Sequence, residues 1–281
     1  MVVICLLAVF STPVSGMTDM PISEDQAITI EINEYEFLQS LAQEDISSLR
    51  QAGYSEKEIE SIKNFEEEYH NHILWINKTF TDSDLIRFGY TVEEIRKIRN
   101  YDGSPKSDAD LAANLTLTQW CGSGNQKLMY NPGNNTTSIT VYYSFQWKRI
   151  PFWQYTDRLA YTWGESFAST TNPQINLTYY GPLNSSWNTS VQANVISTDG
   201  GYFSLPMNGL TNQYVLNKGN GSVKLTKSGN VSQIPVYFCY AHRIIYPGEI
   251  SVSIGVPGIS INFGVSASFI DRLGNYRMYY Q

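Results

Sequence analysis

The carboxylates and the histidine in the second half of this chain are the residues that could do chemistry. Residues 113–281 contain one histidine, His242, and five carboxylates. Asp157 and Glu165 lie eight positions apart among aromatic residues, and glycan hydrolysis needs two carboxyl groups about 5 to 10 Å apart. On one continuous strand that offset spans about 27 Å. We therefore interpret Asp157 as an ion-paired residue or a turn residue at the start of a strand and keep a glycan hydrolase as an alternative.

No other set of side chains has the pattern of a catalytic or metal site. His242 has no serine or cysteine motif beside it. His70 and His72 lie two positions apart on a predicted helix, so they face different directions. The sequence therefore predicts no catalytic residue, no metal ligand and no cofactor, and it favours a protein that is not an enzyme.

Three cysteines are present, and two of them could form a covalent link. Cys5 lies in a predicted signal peptide, which leaves Cys121 and Cys239, 118 positions apart. An even pair in an oxidising compartment predicts a disulfide. Two buried thiols are the alternative.

Aromatic residues crowd the second half of the chain, and some of them are candidates for binding a ligand. Trp147 and Trp163 are in phase with a predicted buried face and are assigned to the core. Tyr142, Trp153 and Trp187 fall out of phase or in turns. We expect these three at the surface, where aromatic rings can stack on sugars or contact a protein.

Residues 249–269, EISVSIGVPGISINFGVSASF, are the other candidate site. Apolar and small polar residues alternate on both sides of a Pro-Gly turn, and no residue between Glu249 and Asp271 is charged. This pattern resembles the membrane-inserting hairpins of β-pore-forming toxins, whose spanning strands need about 9 to 11 residues. A half-buried hairpin of a soluble sheet has the same pattern, and we favour that interpretation. The apolar positions concerned are Ile250, Val252, Ile254, Ile259, Ile261 and Phe263.

The elements that would position these residues are mostly strands. Residues 137–163 alternate β-branched and aromatic residues with polar ones, which predicts two strands with one buried face each. We expect a turn around Pro151 to join them into the core hairpin of an antiparallel β-sandwich. Further short strands separated by Gly, Pro and Asn turns continue to the end of the chain.

A helical region precedes the strands. Segments 49–65 and 85–101 match each other at an offset of 36 positions. Each predicts a short helix, a Gly-Tyr turn and a second helix that begins with a capping box. Two copies are few for a free-standing solenoid, so we expect this region to lean on the β-domain as a structural cap, with a partner-binding groove as the alternative.

The predicted fold class is therefore α+β, a small helical-repeat region followed by an antiparallel β-sandwich domain. The predicted parts are a signal peptide (1–16), a mobile lead-in (17–32), an acidic helical region (33–103), a linker (104–112) and the β-sandwich (113–281).

Charge is distributed unevenly between the two parts. Residues 19–110 carry a net charge of −12 and the remainder of the chain a net charge of +5. Two independent surfaces would explain this difference. Docking of the acidic part on the basic part, or contact of the basic part with an anionic polymer or membrane, would also explain it.

The whole arrangement resembles uncharacterised secreted proteins of Gram-positive bacteria. The residues that carry the resemblance are WKRIPFWQYTDRLAYTW at 147–163 and the alternating Ser-rich segment near the end of the chain. It implies an extracellular location and no known activity.

Our leading hypothesis from the sequence is a secreted, non-enzymatic protein whose β-sandwich binds a surface glycan, an anionic cell-wall polymer or a protein. The alternative is a membrane-active toxin that uses residues 249–269. Nucleic acid is not expected as a partner, because the basic residues are dispersed. A transmembrane helix is not expected either, because no later stretch approaches about 18 apolar residues.

Overall fold

The computed structural model describes residues 27–101, 115–122, 127–164, 166–243, 252–255, 260–263 and 269–281. The helices are α1 (Glu34–Gln43), α2 (Ile46–Gln51), α3 (Glu56–Lys63), α4 (Phe65–Thr79), α5 (Asp82–Arg87) and α6 (Val92–Arg99). The strands are β1 (Ile28–Ile32), β2 (Leu115–Gly122), β3 (Met129–Asn131), β4 (Thr136–Lys148), β5 (Thr156–Trp163), β6 (Ala168–Ser169), β7 (Gln174–Tyr180), β8 (Ser186–Gln192), β9 (Asn194–Ser197), β10 (Gly200–Pro206), β11 (Val215–Ser228), β12 (Gln233–Arg243), β13 (Val252–Gly255), β14 (Ser260–Phe263) and β15 (Phe269–Tyr280).

All described strands except β13 and β14 belong to two antiparallel sheets that pack face to face. Sheet A has the order β1-β2-β4-β11-β7-β8, with β3 paired to β4 and β6 paired to β11. Sheet B has the order β15-β12-β5-β10-β9. The predicted fold class, α+β with an antiparallel β-sandwich, is confirmed. The predicted alternation is also confirmed, because five inward positions of β4 are buried in the core between the sheets: Ile139, Val141, Tyr143, Phe145 and Trp147.

The predicted hairpin around Pro151 is wrong. Strand β4 pairs with β2 and β11 in sheet A, whereas β5 pairs with β10 and β12 in sheet B. Residues 149–155, which we name the crossing loop, therefore pass from one sheet to the other. Arg149 has a φ of 70°, and Ile150, Phe152 and Trp153 pack against the helices. These apolar residues make the loop a docking surface and not a tight turn.

Helices α1–α6 form a compact part with its own core, which we name the helical unit. In each copy of the matching segments a short helix ends at a Gly with positive φ, 95° at Gly53 and 89° at Gly89. The next helix begins with a capping box, formed by Ser55 and Glu58 in α3 and by a second such pair, Thr91 and Glu94, in α6. Each box satisfies backbone N–H groups that a helix start leaves without partners.

The helical unit is docked on one end of the sandwich. Its core includes three sandwich residues, Ile150, Trp153 and Val215. Buried Asp84 accepts hydrogen bonds from the backbone N–H groups of Leu183 and Asn184, which point together because both residues have a φ between 55° and 57°. The expectation that the helical region leans on the β-domain is therefore confirmed.

Two contacts join acidic residues of the helical unit to basic residues of the sandwich. Arg149 of the crossing loop forms an ion pair with Glu94, with 2.8 Å between nitrogen and oxygen. His242 of β12 lies 3.2 Å from a carboxylate oxygen of Glu34. Docking thus accounts for part of the charge asymmetry.

The end of the predicted lead-in is a strand. Residues 28–32 form β1, which pairs with β2 so that Ile32 lies opposite Leu115 and Ile28 opposite Gln119. A mobile lead-in is therefore wrong for these residues, because β1 supplies the backbone partners for the edge of β2. Residues 1–26, which include the predicted signal peptide, and the predicted linker at 104–112 lie outside the described residues.

Candidate functional site

The uncharged segment near the end of the chain contains a small separate sheet. Strands β13 and β14 pair with each other in antiparallel fashion, with Val252 opposite Phe263 and Ile254 opposite Ile261. We name this two-stranded sheet the hairpin. Its pairing agrees with both interpretations made from the sequence. Ile250 and Ile259 lie outside the described residues.

The hairpin lies on the outer face of sheet B. Strand β14 approaches β5 and strand β13 approaches β10, with Cα atoms within 8 Å. Both hydrogen-bonding edges of β5 are already occupied by β10 and β12. The inner face of β5 is occupied as well, because Leu159, Tyr161 and Trp163 pack in the core. Strand β14 can therefore approach β5 only at the outer face of sheet B.

The outer face of sheet B combines small side chains with half-buried Tyr202 and Tyr237. Ala160, Cys239 and Ala241 form a separate cluster of buried residues on this side of β5 and β12. Ordinary sheets pack face to face about 10 Å apart. Alanine side chains allow a closer approach, which agrees with the short Cα distances between the hairpin and sheet B.

The segment that carries the hairpin leaves and re-enters the sandwich at one place. Arg243, the last residue of β12, lies opposite Phe269, the first residue of β15. Residues 244–268 are the connection between these two strands. We name the end of β12 the root of the hairpin.

A fully buried group of polar side chains lies at this root. Asp157 accepts hydrogen bonds from the Tyr240 hydroxyl at 2.7 Å, from His242 Nδ1 at 3.0 Å and from the Arg243 backbone N–H at 2.9 Å. The Trp147 indole N–H donates to the Tyr240 oxygen at 3.1 Å. The strand positions explain the meeting, because Asp157 and His242 both occupy inward positions at the same end of sheet B.

The helical unit completes this group. Glu34, the first residue of α1, accepts from His242 Nε2 at 3.2 Å and from the backbone N–H groups of Phe152 and Trp153 at 2.8 and 3.3 Å. An acidic residue is favourable in the first turn of a helix, where the backbone N–H groups are positive. We name Glu34, Asp157, Tyr240 and His242 the root network.

The imidazole of His242 is held between two carboxylates and is charged. Burial lowers the pKa of His242, but the ion pairs with Asp157 and Glu34 outweigh burial and raise the pKa to about 10. Burial and the neighbouring Asp157 raise the pKa of Tyr240 well above its ordinary value, so its hydroxyl stays protonated and donates. Each oxygen of the two carboxylates is used, so the network is a structural ion triad and not a substrate site.

The glycan hydrolase alternative is not supported at Asp157. Its side chain is completely buried, so no sugar reaches the carboxylate. The interpretation of Asp157 as an ion-paired residue at the start of a strand is confirmed by its contact with His242. Glu165 lies outside the described residues.

The three aromatic candidates for ligand binding do not form one patch. Trp153 is 6% exposed and packs in the junction between the helices and the crossing loop, so the expectation of a surface position is wrong for this residue. Trp187 is half-buried at the edge of sheet A, where its ring lies 4.8 Å from that of Tyr179 against the core. Tyr142 is half-buried on the outer face of sheet A.

The predicted disulfide between Cys121 and Cys239 is wrong. Neither cysteine is in a disulfide, and both side chains are buried. Cys121 lies in sheet A and packs in the core between the sheets, whereas Cys239 lies on the outer face of sheet B beside the alanines. A layer of core side chains separates the sulfurs, because the strand alternation that turns Phe238 and Tyr240 inward turns Cys239 outward. The alternative of two buried thiols is confirmed.

A concave pocket lies at the opposite end of the sandwich from the helical unit. Its volume is about 320 Å³, and its lining includes the buried residues Tyr161 and Trp163. Six other lining residues carry hydroxyl or amide groups, and the described lining residues include no charged side chain: Ser169, Thr170, Thr171, Asn172, Ser197 and Thr198.

Sequence reasoning missed Glu34 and His242 as members of one site. They are 208 positions apart, so no local spacing connects them. A weaker signal was present in the strand phase. His242 falls in register with buried Phe238 and Tyr240, and Asp157 with buried Leu159. A charged residue on the buried face of a strand predicts a partner across the core.

None of the helices in the described part of the chain is long and apolar enough to cross a membrane.

Comparisons with known proteins reveal only distant likenesses. No protein-family model matches the chain, and no curated protein matches it. A solved structure of a pore forming protein is 8% identical with a TM-score of 0.29, covering 59% of this chain and 85% of that one. The Clostridium perfringens delta-toxin is 7% identical with a TM-score of 0.26, covering 59% and 84%. A DUF4466 family protein from Parabacteroides merdae is 11% identical with a TM-score of 0.26, covering 57% and 43%. TM-scores this low do not establish a shared fold.

Proposed function

We propose that this is an exported, non-enzymatic protein that acts on membranes, and that the hairpin is the segment that enters the bilayer. The observation that carries the proposal is the position of the hairpin. Its two strands pair with each other and rest on the outer face of sheet B, whose described strands are hydrogen-bonded to one another without them. Such a pair of strands can leave without breaking a ladder of the sandwich.

The register of the hairpin supports the proposal. Apolar residues lie opposite apolar residues, and small or polar residues lie opposite their own kind, as in the pairs Ser253–Asn262 and Gly255–Ser260. The antiparallel pairing thus has one apolar set of positions and one polar set. Strands that face lipid on one side and water on the other require this division.

The absence of charge in the segment agrees with it. The 21 residues from Ile250 to Ile270 include no Asp, Glu, Lys, Arg or His. In hydrocarbon, the outer edges of a single hairpin would be left without hydrogen-bond partners, at a cost of several kcal/mol for each group. We therefore infer that hairpins from several copies of the chain pair side by side in the membrane.

Dye leakage from vesicles tests the proposal. We expect the protein to release dye from phosphatidylcholine vesicles, from vesicles that also contain phosphatidylglycerol, or from both. Ile261→Lys places a charge in the apolar set and should abolish leakage, because a lysine facing lipid at the bilayer midplane costs about 2–4 kcal/mol per copy. Asn262→Lys is the matched control, since it places the same charge at the next position in the polar set, and it should still leak.

Two outcomes would contradict this function. One is that neither vesicle type leaks with the original protein or with the Asn262→Lys variant. The other is that Ile261→Lys and Asn262→Lys leak equally, which would assign the activity to another part of the chain.

The pocket at the other end of the sandwich favours a second candidate function, the binding of a surface ligand by the β-sandwich. The uncharged hydroxyl and amide groups of its lining suit a neutral, hydroxyl-rich ligand such as a sugar of a surface glycan. A glycan array with the intact protein tests this candidate.

A variant that fills the pocket sharpens the array experiment. Ala168 is exposed and lines the pocket, so Ala168→Trp should remove binding without loss of stability. Val92→Trp, on the exposed surface of the helical unit, is the matched control. Retention of the same glycans by both variants would show that the pocket is not the site.

A further inference from the structure

We propose that the helical unit acts as a clasp on the root of the hairpin, and that the contact between Glu34 and His242 must open before the hairpin leaves sheet B. The inference rests on the proposed membrane function and adds a regulation to it. It makes the docked helical unit the part that slows release of the hairpin before the protein meets a membrane.

The first observation that supports the inference is the position of the root network. His242 and Arg243 are the last two residues of β12, and the chain reaches β13 after residues 244–251. On the return path β15 begins at Phe269, opposite Arg243. The two strand ends that border the hairpin segment, Arg243 and Phe269, therefore lie at the network's end of β12. A movement at His242 acts directly on the strand end from which the hairpin must swing.

Glu34 gathers three separate parts of the protein at this point. Its carboxylate receives His242 of β12 on one side and the backbone N–H groups of Phe152 and Trp153 of the crossing loop on the other. Glu34 itself begins α1, directly after Asn33, which caps that helix with its side chain. One carboxylate thus connects the helical unit, the crossing loop and the root.

The contact suits a device with two positions because it cannot weaken gradually. Glu34 is 5% exposed and His242 is completely buried, so no solvent replaces a lost partner in the closed form. Breaking one partner of a buried ion pair leaves an uncompensated charge in a medium of low polarity. The imidazolium and the carboxylate therefore either stay together or both become hydrated, which requires α1 to move away from the root.

The other contacts of the helical unit lie elsewhere. Asp84 and Arg87 of α5 bind the backbone of residues 181–185, and Glu94 of α6 binds Arg149. In the described structure these hydrogen bonds reach the turn between β7 and β8 and the crossing loop, but not β12. A general loosening of the helical unit and a specific opening at Glu34 can therefore be distinguished by mutation.

Hydrogen exchange of residues 252–255 and 260–263, measured without membranes on the full chain, tests the clasp. In Glu34→Gln, which keeps the size of the side chain and removes its charge, these amides should exchange at least about tenfold faster. Limited proteolysis within residues 244–268 should become faster in parallel. The matched control is Arg149→Asn, which breaks the ion pair with Glu94 and suits the positive φ of this position. Its exchange should stay within about twofold of the original protein.

A conservative variant guards against a folding defect. Glu34→Asp keeps the charge and shortens the reach, so its exchange should fall between those of the original protein and Glu34→Gln. It replaces Glu34→Gln in the comparison if that variant does not fold, as judged by circular dichroism.

The outcomes separate the clasp from the membrane function. Unchanged exchange of the hairpin in both Glu34 variants, or equal acceleration in Arg149→Asn, overturns the clasp. Faster exchange without leakage from any vesicle upholds the clasp and contradicts the membrane function. Leakage that is the same in the original protein and in Glu34→Gln, with unchanged exchange, upholds the membrane function and overturns the clasp.

Discussion

The two faces of sheet B are built from the same strands but differ in side-chain size. Toward sheet A, Tyr143 stacks on Phe238 at 4.8 Å between ring centroids and Phe145 meets Tyr240 at 4.9 Å. On the other side lie Ala160, Cys239 and Ala241, with half-buried Tyr202 and Tyr237 packed against them. Interdigitated rings make many more close contacts than alanine side chains do. The difference teaches that packing is denser in large side chains on the inner face, and under the proposed function the outer face holds a partner that can leave.

Truncation on the inner face should have the largest effect and would show how much of the stability lies there. Phe238 is completely buried, so Phe238→Ala should lower the free energy of unfolding by about 3–5 kcal/mol. Chemical denaturation monitored by tryptophan fluorescence measures this loss. A change below about 1 kcal/mol would mean that the inner face is not the densely packed one.

Enlargement on the outer face should have a smaller and more local effect. Ala160→Leu adds volume under the hairpin at a fully buried position, at a cost of about 1–3 kcal/mol. We expect this cost to fall on the hairpin, so that exchange of residues 252–263 accelerates while the sandwich unfolds at nearly the same denaturant concentration. Ala168→Leu, at an exposed position, is the control. If Ala160→Leu lowered the free energy of unfolding as much as Phe238→Ala does, the outer face would be packed like an ordinary core.

One end of the inner face of sheet B carries the ion pairs of His242 instead of packed rings. The pH dependence of the free energy of unfolding tests how much this ionic end contributes. The ion pairs with Asp157 and Glu34 outweigh burial and raise the pKa of His242 to about 10. In the unfolded chain its pKa is about 6.5. The folded protein thus binds more protons between these values, and stability that is fully present below pH 6.5 declines as the pH rises toward 10.

The expected decline from pH 7.0 to 8.5 is at most about 2 kcal/mol. Denaturation curves at several pH values measure it, and His242→Gln should remove most of the slope. If stability rose over this range, or if the variant kept the slope of the original protein, the charged form of His242 would not be part of the fold.

The smallest effect concerns the two thiols, which lie on different sides of the inner layer. Because Cys121 and Cys239 do not form a disulfide, dithiothreitol should leave the thermal midpoint unchanged to within about 1 °C. Loss of a native disulfide would instead remove roughly 2–5 kcal/mol. A clear drop in the midpoint, measured by differential scanning fluorimetry, would show a covalent bond between the layers and remove the contrast.

The sequence was informative about which residues are buried because strand phase is a local property. The alternation through Ile139 to Trp147 predicted the inward side of β4 correctly, and the capping boxes of α3 and α6 lie where their spacing indicates. Each of these features is decided within a few residues. The local pattern of apolar and polar side chains therefore indicates them without knowledge of distant contacts.

Strand partnership could not be predicted in the same way. Strands β4 and β5 have the phase of a hairpin, yet they belong to different sheets because the crossing loop is anchored by the helices. The mistake at Trp153 follows from this one, because a loop that crosses between sheets buries its aromatic residues at the junction. The mistake at the two cysteines has another reason: Cys121 faces the core, whereas Cys239 faces outward from sheet B. Long-range pairing of this kind depends on the whole topology and leaves no short pattern in the chain.

The pairing of β1 with β2 has a consequence for any opening of the helical unit. Ile32, just before α1, lies opposite Leu115, so the chain leaves for the helices and comes back at the same rung of sheet A. The helices are therefore connected to sheet A at both ends. After undocking they remain close to their docking site, at a high effective concentration. Closure should be fast, independent of dilution and reversible for as long as both connections remain uncut.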